Sequence, residues 1–195
     1  MPLGTHKATL FGAAGVSTGD VVLLSTQTAS DSSSLDFTSG ITSTYGEYIF
    51  KFYNINPATN GAHFTWQANA TDSTSYDETI TSTFFIAWHN EADGETSLAY
   101  QASYDQAQGT AYQTLSHLNG NGADESSAGE LHLFNPASTT YVKQFYSRVN
   151  NLYYSDYSMD NYSAGYINTT TAIDDIQFKM SSGNFDGTIK MWGVK

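Results

Sequence analysis

Five tyrosines crowd one stretch of this 195-residue chain: Tyr153, Tyr154, Tyr157, Tyr162 and Tyr166. Tyrosine offers a flat apolar ring, a polar tip and few torsions to freeze. Exposed tyrosines therefore suit stacking on a sugar or contact with another protein. Strand alternation puts Tyr153 and Tyr157 on one face and Tyr154 on the other. Three roles remain open for the set: core packing, a subunit interface, or contact with a glycan. Tyr153, Tyr154, Tyr157 and Tyr162, together with Trp66 and Trp88, are the candidate binding residues.

Other constellations carry less chemistry. Gly15-Val16-Ser17-Thr18-Gly19 spells a nucleophile elbow, but that motif works only on a turn from an apolar strand into a helix, and neither flanks it here. The five histidines (His6, His63, His89, His117, His132) form no pair at helical metal-ligand spacing. His117 and His132 fall on neighbouring predicted strands and are the pair with a chance to meet. Residues 90–95 (Asn-Glu-Ala-Asp-Gly-Glu) have the composition of a calcium loop without the twelve-residue ligand register, so a solvated turn is expected. Asp174 and Asp175 alternate faces on a strand, which separates their carboxylates. No catalytic residue, no cofactor and no metal are expected.

Composition narrows the function classes further. Charged residues make up 13% of the chain, and 23 Ser, 24 Thr and 13 Asn replace the missing charge. Thr, Tyr and Phe in place of Lys, Glu and Leu favour strands over helices, and 14% aromatic residues supply a core that a disordered chain lacks. The net charge is −12, with Arg148 the only arginine. Binding to a phosphate backbone or an anionic membrane needs clustered lysines and arginines, so neither nucleic acid nor membrane is an expected partner. The chain has no cysteine, so stability must come from packing or from association into a homo-oligomer. Residues 1–20 lack the apolar stretch of a signal peptide, and export is not expected.

The elements that position the aromatic residues are short strands. Residues 21–27 open the sheet region and 33–37 alternate. The clearest hairpin joins residues 47–55 to 62–69 through Asn56-Pro57-Ala58. In its first strand Tyr48, Phe50 and Phe52 share a face, and Ile49, Lys51, Tyr53 and Ile55 share the other. In its second strand Phe64, Trp66 and Ala68 oppose His63, Thr65 and Gln67, a pattern that predicts one buried face and one wet face. Further strands are expected at 79–89, 112–118, 130–134, 139–150, 153–159, 162–167, 172–180 and 188–194, with a weakly patterned middle. Asn135-Pro136-Ala137 repeats the earlier tripeptide and predicts the same turn. Nine to eleven strands suit an all-β, two-sheet antiparallel β-sandwich or jelly roll over residues 20–195. Residues 1–19, with Leu3, Leu10 and Phe11 scattered among Gly and Ala, read as an extended N-terminal arm that assembles onto a neighbour.

Residues 187–194 (Gly-Thr-Ile-Lys-Met-Trp-Gly-Val), following 172–183 (Ala-Ile-Asp-Asp-Ile-Gln-Phe-Lys-Met-Ser-Ser-Gly), resemble the C-terminal hairpin of small β-sandwich virion proteins of tailed bacteriophages, especially marine ones. Residues 24–29 (Leu-Ser-Thr-Gln-Thr-Ala) and the segment from Tyr48 to Pro57 are similar to the same family, so the likeness spans nearly the whole chain past the arm. The resemblance implies a virion component assembled in the host cytoplasm and carries no active site to transfer. The expected function is a non-enzymatic accessory protein on the outer particle surface, of the capsid-decoration kind, with other virion proteins as partners. The alternative is a tail-associated adhesin or carbohydrate-binding module that contacts a host glycan.

Overall fold

Alternating apolar and polar side chains run through the aromatic segments, and each such run forms a strand. The computed structural model describes residues 20–195, and the arm residues Leu3, Leu10 and Phe11 lie outside them. The strands are β1 (Val21–Ser32), β2 (Leu35–Phe37), β3 (Glu47–Pro57), β4 (Ala62–Ala70), β5 (Ile80–Asn90), β6 (Thr96–Tyr100) and β7 (Ala107–Gly109). They continue with β8 (Gln113–Asn119), β9 (Ser127–Phe134), β10 (Lys143–Tyr153), β11 (Tyr157–Ile167), β12 (Ile173–Met180) and β13 (Phe185–Val194). No helix occurs among the described residues, and every strand pair is antiparallel. The all-β, antiparallel expectation holds.

Hydrogen bonding joins the strands into one continuous sheet in the order β1-β13-β3-β9-β10-β8-β4-β12-β2. The sheet curls until it is nearly closed and barrel-like. Strand β10 is the branch point: it pairs with β9, with β11 along its whole length, and with β8 only at Tyr153 and Asn119. Beyond β11 lies β5, which carries β6 and β7 on its far side.

The interior is aromatic because the inward positions of four strands are phenylalanines. Phe178 on β12 meets Phe37, Phe50, Phe52 and Phe64, with ring centroids 5.3–6.0 Å apart. Tyr48, Phe50 and Phe52 all point inward as their alternation predicts, but so does Ile55, expected on the opposite face. Asn54 lies between Phe52 and Ile55 in the left-handed region (φ 52°), where the register with β9 also shifts. This bulge reverses the phase of the strand.

The neighbouring β13 has its own irregularity beside this one. Gly187 (φ 138°) sits at a register shift against β3, where an added Cβ would fall 2.9 Å from the Asn54 carbonyl oxygen and 2.7 Å from Ile55 Cδ1. Gly187→Ala is expected to destabilise the fold by about 1–2 kcal/mol, read as a lowered urea midpoint, because it strains the backbone and displaces a buried isoleucine.

Four further expectations change. The strands at 47–55 and 62–69 form but make no hairpin, since β3 pairs with β13 and β9 and β4 pairs with β12 and β8. Strand β4 has no wet face: Thr65, Gln67 and Asn69 are buried behind the core residues Phe64, Trp66 and Ala68. The chain before β8 covers that side, and the Gln67 amide donates to the carbonyls of Glu78, Thr110 and Ala111, which makes its burial affordable. Residues 153–159 do not form one strand, because Asp156 (φ 65°) turns the chain between β10 and β11. The two Asn-Pro-Ala segments make different structures. Asn56 is extended within β3 and its side chain donates to the Gly122 and Glu125 carbonyls, whereas Asn135 is left-handed (φ 45°) and its carbonyl accepts from Ser138 N–H.

Candidate binding cleft

The β10–β11 hairpin builds one wall of an aromatic cleft. Tyr153 and Tyr157 are its last cross-strand pair, directly opposite each other, and their rings meet edge to face at 5.5 Å. Two residues further along β11, Met159 stands opposite Trp88 of β5. Strand alternation therefore delivers Tyr157, Met159, Trp88 and Ile86 to one cavity of about 370 Å³. Glu95, Gln101, His117 and Ser155 complete its lining. Phe84, Ile86 and Met159 form a buried floor apart from the main core, and Trp88, Tyr104, Tyr153 and Tyr157 pack on it half-buried.

Two turns shape the rim. In the turn between β5 and β6, Asn90 Oδ1 accepts from the N–H groups of Gly94 and Glu95 at 2.7 and 2.8 Å. This fixes Glu95 where the Tyr157 hydroxyl donates to its Oε2 at 2.9 Å. The Glu91 N–H donates to the Asp156 carbonyl at 3.0 Å, which ties this turn to the one between β10 and β11. Residues 90–95 thus form a self-bonded turn. Among the described residues, no group of three His, Asp or Glu side chains is placed to hold a metal.

His117 closes the inner end. Its backbone is gripped on both sides: its N–H donates to Asn161 Oδ1, and its carbonyl accepts from Asn151 Nδ2. Asn161 also donates to Asn151 Oδ1 at 2.7 Å, completing a buried amide network. The His117 ring lies among Tyr104 at 4.8 Å, Tyr153 at 5.9 Å and a nearly parallel His63 at 5.9 Å. Burial, with a smaller contribution from His63, pushes the His117 imidazole down to about 4. Burial also lowers His63, whose Nδ1 accepts the Leu118 N–H at 3.1 Å and so carries no proton. His117 Nδ1 is buried without a hydrogen-bond partner. Burial, reinforced by Tyr154 beside it, pushes the Tyr153 hydroxyl up to about 12, and the bond to Glu95 raises Tyr157.

Of the six residues singled out in the sequence, the structure brings Tyr153, Tyr157 and Trp88 together. Tyr154 packs on Tyr153 with the rings tilted by 36° and 4.3 Å apart, without lining the cleft. Tyr162 lies on the opposite face of β11, stacked parallel to Phe85 at 4.7 Å with its hydroxyl donating to Asp160. Trp66 is 0% exposed and packs on Phe145, so it is a core residue out of reach of any surface ligand. His117 and His132 do not meet: His132 on β9 contacts Glu47 at 2.5 Å, and His117 pairs with His63 instead. Glu95, Gln101 and Met159 were missed. Met159 shares the face of Tyr157 by simple alternation, Glu95 reads in the sequence only as part of a solvated turn at 90–95, and nothing local marks Gln101. Neither a protein-family model nor a curated protein matches this chain.

Proposed function

We propose that this chain is a non-enzymatic accessory protein on the outer surface of a tailed-phage particle, bound to other virion proteins as a capsid-decoration component. The observation that carries the proposal is the apolar surface left on two edge strands, β1 at one end of the strand path and β6 at the end of the branch through β11 and β5. Val21 (56% exposed) and Leu23 (44%) lie on β1, which pairs only with β13 among the described residues. Leu98 (69%) and Tyr100 (56%) lie on β6, which pairs only with β5. Open edges bearing apolar side chains are templates for association, through added strand pairing and buried apolar area. A homo-oligomer closed through one edge and a shell contact through the other would use both.

The finer architecture belongs to the same reading. On this reading β8-β4-β12-β2 form one layer and β1-β13-β3-β9-β10 a second; their ladder pairing narrows to the Tyr153–Asn119 bridge, and Phe64 and Phe178 of the first pack on Phe50 and Phe52 of the second, which supports a two-layer sandwich. The likeness of residues 172–194 to phage virion proteins supports this, and so does an acidic chain (net −12) that has no need to approach packaged DNA. Particles assembled without the chain are expected to bind the purified protein on their exterior and to release DNA at a higher temperature once it is bound. Failure of the purified protein to bind them would remove the proposal.

The cleft favours a second reading, a tail-borne receptor-binding module. Three aromatic residues with a carboxylate and an amide at one cavity are the components of a small-ligand site. On this reading the particle's attachment to host cells falls when Tyr157→Ala empties one wall, while particle stability is unchanged.

A further inference from the structure

We infer that the aromatic cleft at the open end of the β10–β11 hairpin takes an organic ammonium group, held over the rings of Tyr153, Tyr157 and Trp88 beside the carboxylate of Glu95. The inference rests on the cleft being a ligand site and adds the chemical class of what enters it. Tyr153 and Tyr157 stand edge to face at 84°, so together with Trp88 they form walls in more than one plane. Walls of that kind surround a rounded cation better than a single platform supports a flat sugar ring, and each ring face attracts positive charge through its quadrupole.

Charge complementarity points the same way. Glu95 stands in the cleft, and Glu91, Asp93 and Asp156 belong to the two turns that meet at its rim. No lysine or arginine lines the cavity. His89, the titratable neighbour on β5, is engaged with Asp93 at 3.2 Å. His117, whose Nδ1 has no partner and which is 6% exposed, is neutral near pH 7 and does not repel a cation. The Tyr157 hydroxyl donates to Glu95 Oε2 and so holds the carboxylate at the cleft. Met159 at the floor adds a polarisable thioether.

Two sources offer this chemistry, a choline-type headgroup and an amino sugar, and titration followed by Trp88 indole NMR separates them. Choline is compared with its uncharged isostere 3,3-dimethyl-1-butanol, and glucosamine with glucose. For at least one pair, the ammonium compound is expected to bind about tenfold or more tighter than its neutral partner. Glu95→Gln, an exposed position that leaves the fold intact, should remove most of that preference, and Tyr157→Ala should remove binding. Equal binding within both pairs would overturn the ammonium assignment while leaving the cleft a ligand site. Absence of binding by all four compounds would overturn both.

Discussion

Replacing Phe178 with alanine lowers the stability of this protein by about 3–5 kcal/mol, seen as a lowered denaturant midpoint with an unchanged slope. Phe178 is 0% exposed and its ring is bounded by Phe37, Phe50, Phe52 and Phe64. Three of those neighbours sit on β2 and β3, and Phe64 on β4. Each strand is held in register by its own ladder, so the surroundings cannot collapse into the vacated volume. The loss therefore combines the transfer free energy of the ring with the full penalty of a cavity. Phe85→Ala is the control: Phe85 is 38% exposed and stacks on Tyr162 at the surface, so its removal should cost less than about 1.5 kcal/mol.

Acid weakens the fold by about 3 kcal/mol between pH 7 and pH 4 through His117 alone. The imidazole has its ordinary value of 6.5 in the unfolded chain and about 4 when folded. Between those values the unfolded state binds a proton that the folded state refuses, so stability rises with pH across that window. The contribution is complete above pH 6.5 and is lost as pH falls toward 4. His63, lowered by burial, acts with the same sign. Glu78 and Asp174, both raised mainly by burial, act with the opposite sign as they protonate in the carboxylate range. Comparison with His117→Phe isolates the histidine term, because phenylalanine keeps the ring among Tyr104, Tyr153 and His63 but cannot take a proton. Urea unfolding at a series of pH values should show a clearly flatter profile for that variant between pH 6.5 and 4.

The sequence was most readable where alternation was strict and both neighbours of a strand were regular. Tyr48, Phe50 and Phe52 point inward as their spacing demands, whereas Tyr153 and Tyr157 come together across a turn through Asp156 and not by alternation along one strand. Ile55 was misplaced because a bulge leaves no mark on the pattern of apolar residues: only Asn54, a residue tolerant of positive φ, hints at it. Trp66 and Trp88 show why alternation alone does not locate a ligand site. Both are aromatic positions on strands, but β4 ends up covered on both faces, whereas Trp88 lies half-buried at the far end of β5 beside an open hairpin. The polar side of the cleft was the least legible part. Glu95, Gln101 and His117 come from three segments that reach Tyr153 only through the pairing of β5, β8 and β11 around β10, and that pairing is a property of the whole sheet.

A reconstruction, at side-chain resolution, of a particle that carries this chain tests the proposed outward docking most directly. The expected density places this chain on the exterior, with the β1 edge around Val21 and Leu23 covered by a neighbouring protein and the cleft between Tyr157 and Trp88 open to solvent. Density inside the shell, or a β1 edge left bare while the cleft is sealed against the particle, would contradict it.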